Sequence, residues 1–202
     1  MNFNNYGNIP LLEILISLII ETLDYGILRF QEEFGKDKYD YPYLKLYHPY
    51  KMKDMGFLTN YDKSFSSIRG SGVWRNGNHF FLFVDLHKEE VKESINYADK
   101  LISPTRMQWQ TQNKTSQNSK TGLDLCYNKE RGIILHMLVR KAKKIGTQNI
   151  DYKYIGKVNG LSCKGEKPIT IQLEIEDPLP RYIFEDLTLK VKKYRDTNKK
   201  TA

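Results

Sequence analysis

The chain has 202 residues, which suffices for one domain or for one domain with an appended helical segment. Its composition, 40% apolar and 12% aromatic, excludes a chain too polar to fold and is enough to bury a proper core. A net charge of +8 favours an acidic partner such as nucleic acid, although a merely soluble basic surface would carry the same charge.

The first predicted element is an N-terminal helix from Pro10 to about Phe34. The apolar run from Ile9 to Ile20 inside it is too short to span a bilayer. A signal peptide would need a basic residue before its apolar segment, and no Lys or Arg precedes Arg29. We therefore expect no membrane association. Both faces of this helix are apolar, so it is either central to the fold or docks on another chain.

The next part of the chain changes from linker to strands. Residues 36–50 are rich in Tyr and Pro, which predicts a linker, and a short helix is expected from Lys51 to Leu58. Strand-like segments then run from Ser66 to Trp74 and from His79 to Leu86. They flank Asn76-Gly77, the strongest short hairpin signal, so these two strands are predicted to pair.

Short strands also dominate the second half of the chain. The predicted elements are a helix over 89–99, an extended segment over 102–110, strands over 133–139, 150–158 and 168–175, and a helix over 182–193. This pattern predicts an α+β protein, a small curved β-barrel with an N-terminal and a C-terminal helix. The expected divisions are a helical segment over 1–37, the barrel domain over 38–180, and a basic C-terminal helix and tail over 181–202.

The cysteines and histidines give no sign of a metal or a catalytic nucleophile. Cys126 and Cys163 are isolated, so we expect buried or free thiols and a cytoplasmic protein. The four histidines are scattered, and neither a phosphate-binding loop nor a hydrolase motif is present. No cofactor and no metal site are expected.

The most informative segment is 107–121, where one Trp is followed by amides, hydroxyls and lysines. No acidic residue lies between Lys100 and Leu123. An aromatic face, amide groups and positive charge are what nucleic-acid recognition uses. A lone Trp beside a strand is often a core residue, and it is the neighbouring amides that favour binding. The candidates are Trp109, Gln110, Gln112 and Asn113.

Phosphate contacts are predicted in two basic segments that contain no acidic residue, 100–123 and 131–150. The candidate residues are Arg106, Lys114, Lys120, Arg140, Lys141 and Lys143. The alternative for each segment is ordinary surface lysine, since proteins normally mix charges of both signs on their surfaces.

A metal-dependent nuclease is the competing hypothesis. It would use Asp85 followed by the Glu90-Val91-Lys92 tripeptide. That tripeptide is common by chance, and a solvated helix face explains it equally well. No motor or nuclease motif supports it elsewhere, so we expect a binding module and not an enzyme.

Several longer motifs occur in order along the chain. They are Leu46–Tyr50, Lys53–Leu58, Phe81–Lys88, Ile95–Asp99, Met107–Asn113, Ser119–Gly122, Leu138–Arg140, Tyr154–Gly156 and Lys167–Ile171. Together they resemble a bacterial C-terminal domain of unknown function that follows the helicase core in superfamily-2 restriction helicases. The resemblance covers roughly residues 44–180, and the N-terminal helix lies outside it.

The resemblance implies a function in DNA recognition. In methylation-dependent type IV restriction enzymes this domain follows a phospholipase-D-type nuclease and a helicase. There it is compared with SET-and-RING-associated (SRA) and PUA-like readers, small curved barrels that take a modified base out of the stack. The resemblance implies that Trp109, Gln110, Gln112 and Asn113 lie near the base pocket. To these we add the further matching positions Tyr97, Asp99 and Tyr154.

The expected partner is therefore double-stranded DNA that carries a modified base such as methylated cytosine, within a restriction or helicase system that defends against phage. The N-terminal helix is expected to dock on helicase or nuclease subunits. A PUA-like RNA-binding module remains a second alternative, because barrels of this kind bind both nucleic acids.

Overall fold

The computed structural model describes residues 9–34, 39–41, 44–59, 61, 72–86 and 99–189. The chain divides into two units, residues 1–38 and residues 39–202. The described residues of the first unit form one helix, and those of the second include the sheet that forms the core.

Helix α1 spans Ile9–Phe34, as the sequence predicts, with Pro10 in its first turn. Side chains on both predicted apolar faces are about half exposed, for example Leu15 at 48% and Leu23 at 60%. Among the described residues, neither this helix nor any other has the length and apolarity that crossing a bilayer requires.

The second unit is built on one eight-stranded sheet in the described residues. Its strands are β3 (Pro49–Tyr50), β4 (Val73–Asn76), β5 (His79–Asp85), β6 (Lys100–Ser103), β7 (Arg106–Gln110), β8 (Ile134–Arg140), β11 (Tyr152–Lys164) and β12 (Thr170–Ile175). The order across the sheet is β4-β5-β8-β11-β12-β7-β6, and β3 also pairs with β11.

Shorter elements surround this sheet. Two two-stranded ribbons are formed by β1 (Tyr39–Asp40) with β2 (Leu44–Lys45), and by β9 (Lys144–Ile145) with β10 (Gln148–Asn149). The helices in the described part of the second unit are α2 (Asp54–Leu58), α3 (Lys120–Cys126) and α4 (Arg181–Thr188). Helix α4 buries Ile183 and Leu187 in the main apolar core.

The pairing of β4 with β5 confirms the predicted hairpin, with Gly77 at a φ of 60° in its turn. Strands β5 and β8 pair in parallel, from His79 with Ile134 to Asp85 with Arg140. The other pairings in the sheet are antiparallel. In β12 the buried residues alternate with half-buried ones, as the sequence pattern predicts.

Strands β5 and β8 are buried on both faces, which separates two apolar clusters. Val84 of β5 belongs to the larger cluster, together with Trp109. Phe83, its neighbour in β5, points into the smaller cluster with Tyr152 and Tyr154. Adjacent residues at the C-terminal end of β5 therefore belong to opposite clusters.

The α+β class is confirmed, but the prediction of a closed barrel is wrong. Strands β4 and β6 lie at the two ends of the strand order, and they do not pair with each other within the described residues. Alternation of apolar residues predicts strands, but it carries no information on whether the last strand meets the first. Here both terminal strands are only four residues long.

The prediction of a linker over 36–50 is also wrong for the described part of that segment. Leu44, Leu46 and Tyr50 are buried, and β3 pairs with the start of β11. Pro is typical of linkers, but Tyr has a large apolar ring that can be buried while its hydroxyl makes a hydrogen bond. The hydroxyl of Tyr50, for example, accepts a hydrogen bond from the Lys45 amide at 2.9 Å.

Other boundaries differ in smaller ways. The segment over 102–110 is a hairpin, β6 with β7, that turns at Pro104-Thr105, and the strand predicted over 150–158 continues to Lys164. Most of the strand predicted over 66–74, nearly all of the helix predicted over 89–99, and the tail beyond Leu189 lie outside the described residues.

The two cysteines form a disulfide between Cys126 and Cys163, so the prediction of free thiols is wrong. The bond joins the end of α3 to β11, where the two backbones approach closely. A side chain at Gly160 would place its Cβ 2.7 Å from the Cys126 carbonyl oxygen. This approach depends on tertiary packing, and a separation of 37 residues gives no local signal for it.

Candidate functional site

A cleft of about 740 Å³ lies at the C-terminal ends of β5 and β8. It is lined by Val73 of β4 and by Trp109 of β7, although four strands separate β4 from β7 in the sheet. Residues from distant strands can share one cleft only because the sheet curves strongly. The volume falls in the range of small-molecule sites and is large enough for a nucleotide base.

The apolar wall of the cleft is aromatic. Phe83, Trp109 and Tyr152 line it, and they are only 5%, 4% and 7% exposed. Because Trp109 is also part of the larger apolar cluster, only a small part of its indole faces the cleft. Trp109 is therefore both a core residue and a lining residue of the cleft, the two alternatives that the sequence left open.

The amides predicted from the sequence divide between cleft and surface. Gln110 and Gln112 line the cleft, whereas Asn113 is exposed and lies outside it. The Gln110 side chain is oriented by its Nε2, which donates to Thr170 Oγ1 at 2.9 Å. Its backbone N–H donates to Asp99 Oδ1 at 2.8 Å, which fixes that carboxylate in the cleft wall.

Arg140 also lines the cleft, but its guanidinium is engaged by the protein. Nε and Nη2 donate to the two carboxylate oxygens of Asp85, at 2.6 and 3.1 Å, and Nη1 donates to the Ile150 carbonyl at 3.1 Å. The guanidinium carbon lies 4.1 Å from the centre of the Tyr152 ring. Burial, reinforced by the Asp85 charge, holds the pKa of Tyr152 well above its usual range. Arg140 therefore organises the cleft wall.

The cleft is not uniformly basic, which corrects the expectation of uncompensated positive charge. Three basic and three acidic side chains line it, namely Lys51, Arg140 and Lys143, and Asp85, Asp99 and Asp151. The segments around Trp109 lack acidic residues, but the fold brings carboxylates from other segments to the same place. The cleft can therefore accept hydrogen bonds as well as donate them.

The predicted phosphate-binding residues occupy different environments. Lys143 is exposed at the cleft, whereas Lys141 is held by Asp186 of α4, with 2.7 Å between Nζ and Oδ1. Arg106, Lys114 and Lys120 are exposed and do not line the cleft. Tyr97, a predicted pocket residue, lies outside the described residues.

Tyr154 was expected at the pocket, but it is fully buried inside the second cluster. It lies two residues beyond Tyr152 on the same side of β11, about 7 Å further from the cleft. Its hydroxyl donates to Asp40 Oδ2 at 2.6 Å and lies 2.9 Å from His136 Nδ1. His136 Nε2 in turn lies 2.9 Å from His79 Nδ1.

This chain of hydrogen bonds has one consistent direction. Because a carboxylate can only accept, Tyr154 donates to Asp40 and accepts from His136 Nδ1–H, and His136 Nε2 accepts from His79. Burial lowers the pKa of His136 to about 3, so this imidazole is neutral at pH 7. Burial also raises the pKa of Asp40, but the hydrogen bonds from Tyr154 and the Tyr41 amide outweigh it and leave the pKa below its usual value.

The residues proposed for a nuclease are not assembled in the described part of the chain. Asp85 is bound by Arg140, and Glu90 and Lys92 lie outside the described residues. Among residues that the structure describes, no three His, Cys, Asp or Glu side chains are grouped to hold a metal ion.

Sequence reasoning missed the lining role of Phe83 and Tyr152, which it treated only as strand residues. Each lies near the end of a strand that meets the cleft, and the pairings of β8 with β5 on one side and with β11 on the other bring these ends together. The one sequence feature that could have indicated the lining role of Tyr152 is its position at the start of a strand, next to Asp151, and this feature is weak.

The fold and its cleft define an α+β domain, mostly β, with a cleft at the ends of its strands. The chain belongs to the family described as domain of unknown function DUF3427, whose sequence model matches residues 44–187. No curated protein shows significant similarity to it.

Among solved structures, the chain is similar to the crystal structure of SUVH6 from Arabidopsis thaliana in complex with SAM. The identity is 11% and the TM-score is 0.42. The match covers 78% of this chain and 32% of the plant chain, so the protein spans about a third of the length of that structure.

Proposed function

We propose that the protein is a DNA-binding specificity module that reads a modified cytosine, such as methylated cytosine, flipped out of duplex DNA into the cleft. The observation that carries this proposal is the lining of the cleft. An aromatic wall, two glutamines and a positioned carboxylate meet in a space of about 740 Å³. Readers of extruded bases use stacking surfaces together with hydrogen bonds to the edge of the base.

The chemistry of the lining suits cytosine. Carboxylates accept hydrogen bonds from the exocyclic amine of cytosine, and Asp99 is held in the cleft wall by the Gln110 amide. Gln112 adds an amide that can both donate and accept. The apolar side chains of Met52 and Val84 also line the cleft and can contact a methyl group.

The surface around the cleft suits the DNA backbone. Lys143 and Lys144 are exposed beside it, and Lys114 is exposed two residues after Gln112. Such side chains contribute sequence-independent affinity through phosphate contacts, while the cleft supplies the specificity. We further propose that the module works within a restriction or helicase system that acts against phage. Helix α1 would then dock on helicase or nuclease subunits through its exposed apolar side chains.

Fluorescence anisotropy with matched duplexes tests the proposal. The wild-type protein is expected to bind a duplex with 5-methylcytosine at least tenfold more tightly than the unmodified duplex. Gln112→Ala should weaken binding to both duplexes, because one base-edge contact is worth about 1–3 kcal/mol and the two bases share that edge. Met52→Ala should remove most of the preference, because Met52 lines the cleft and can contact the methyl group. The control is Gln172→Ala, a half-buried glutamine on β12 that bonds to Gln108 and lies outside the cleft.

The competing functions have distinct outcomes in the same assays. Equal affinity for modified and plain duplex would refute the reading of modified bases. A preference for structured RNA would favour the PUA-like alternative. Sustained cleavage of DNA with magnesium or manganese, abolished by Glu90→Ala, would favour the nuclease.

A further inference from the structure

The ribbon formed by β9 and β10 is an exposed hairpin beside the cleft. All residues from Lys143 to Asn149 are exposed, and its two strands pair through Ile145 with Gln148 and Lys144 with Asn149. Gly146 has a φ of 61° at the first position of the two-residue turn, as a type II′ turn requires. Apart from Lys143 and Asn149, which line the cleft, the hairpin belongs neither to the apolar core nor to the cleft wall.

The base of the hairpin is fixed relative to the cleft. The Ile150 amide donates to the Lys143 carbonyl at 3.1 Å, and Arg140 Nη1 donates to the Ile150 carbonyl at 3.1 Å. Ala142, just before the hairpin, is buried. Lys143 and Asn149, at the start and the end of the hairpin, both line the cleft. The hairpin therefore projects from the rim of the cleft in a defined position.

The chemistry of the hairpin matches a nucleic-acid groove. Residues 142–150 include Lys143 and Lys144 and no acidic residue. Neither lysine makes an ion pair within the described residues. Ile145, next to the turn, is 41% exposed. A single exposed apolar residue is ordinary on a protein surface, but here it lies at the tip of a basic hairpin next to a cleft of base size.

We propose that the β9–β10 hairpin enters a groove of the DNA beside the flipped nucleotide and that Ile145 packs against the base step this nucleotide leaves. The inference rests on the proposed function. The three residues from Lys143 to Ile145 reach about 10 Å, given a rise of about 3.4 Å per residue. The grooves of B-form DNA are about 7.5–8.5 Å deep, so the tip can reach the bases. Apolar side chains inserted at base steps stabilise unstacked DNA in other groove-binding proteins.

The experiment compares two duplexes that contain 5-methylcytosine, one fully paired and one with an abasic site opposite the modified base. In the second duplex the base is already unpaired, so much less of the extrusion cost remains. Ile145→Ala is expected to weaken binding to the paired duplex about tenfold and binding to the abasic duplex less than threefold. Leu161→Ala is the matched control, because Leu161 is 45% exposed on β11 and does not line the cleft.

The outcomes separate this inference from the proposed function. If wild-type protein prefers the methylated duplex but Ile145→Ala weakens both duplexes equally, or neither, the wedge role is wrong and the reader role stands. If the wild-type protein shows no preference, the reader role fails and the inference fails with it. Thermal unfolding of each variant verifies that the exposed substitutions leave the fold intact.

Discussion

Arg140 and Asp85 form a two-point ion pair between the ends of the parallel strands β5 and β8, with Nε 2.6 Å from Oδ1 and Nη2 3.1 Å from Oδ2. The two side chains are only 14% and 25% exposed, so little solvent screens their charges. The same guanidinium stacks on Tyr152 and bonds to the backbone below the β9–β10 hairpin. One pair therefore ties together the strand ends, an aromatic wall and the hairpin.

Asp85→Ala is expected to lower the free energy of unfolding by about 2–4 kcal/mol, because Arg140 would keep a poorly solvated charge without its partner. Urea denaturation measures this change. Glu185→Ala is the control, since its partner Arg181 is 91% exposed and pairs of this kind contribute about 0.5 kcal/mol or less. Similar losses in both variants would contradict the organising role of the Asp85 pair.

Lys143 and Lys141 are separated by one residue and should differ in DNA binding. Lys143 is exposed at the cleft, whereas Lys141 is held by Asp186 at 2.7 Å. Lys143→Ala is expected to weaken binding to all duplexes and to reduce the slope of log affinity against log salt by about 1. Lys141→Ala should leave that slope unchanged. A salt titration of DNA binding measures both, and a reversed pattern would overturn the assignment.

The buried His136 predicts a loss of stability in mild acid. Its pKa is lowered to about 3 by burial, so the unfolded chain binds a proton below about pH 6.5 and the folded chain does not. Stability from this group is complete above pH 6.5 and declines as the pH falls, by about 2–3 kcal/mol between pH 7 and pH 4.5. His79, whose pKa burial also lowers, adds a change of the same sign.

Urea unfolding at the two pH values measures this effect. His136→Gln should show a smaller loss of stability on acidification than the wild type, whereas His48→Gln, at an exposed histidine, should not differ from it. Because the pKa of Asp40 is lowered, this carboxyl changes the stability only at a pH below the usual pKa of an aspartate. The interval from pH 7 to pH 4.5 therefore reports on the histidines. An unchanged pH dependence in His136→Gln would refute the explanation.

The disulfide between Cys126 and Cys163 predicts a redox-dependent stability. Closing a loop with a sequence separation of 37 is expected to stabilise the fold by about 3–4 kcal/mol in the chain-entropy description. Unfolding with and without a reducing agent measures this difference. Cys126→Ser should match the reduced wild type and be insensitive to reductant. Rapid alkylation of both cysteines in native protein before reduction would show that the bond is absent.

The sequence predicted those features that depend on local pattern. Asn76-Gly77 specified a hairpin because its turn requires the backbone freedom of Gly77. The alternation over 169–175 specified which face of β12 is buried. Of the residues predicted around Trp109, three line one cleft, namely Trp109, Gln110 and Gln112.

The features that it could not predict depend on residues far apart in the chain. Asp85 meets Arg140 only because β5 and β8 pair in parallel, and neither strand contains a signal for its partner. Cys163 reaches Cys126 because α3 packs on β11. The prediction that Tyr154 lines the pocket was wrong because the alternation along β11 gives only the spacing of its residues. The burial of Tyr154 beside Asp40 depends on tertiary packing.

The parallel pairing of β5 with β8 also has a kinetic consequence. During synthesis on the ribosome, β5 emerges long before its partner, and the whole of residues 86–133 must follow before the pair can form. Non-local pairings of this kind raise the contact order and slow folding. Until β8 arrives, β5 is an apolar strand without its central neighbour, and such strands are prone to aggregation. We therefore expect nascent chains that end before residue 134 to depend on chaperones.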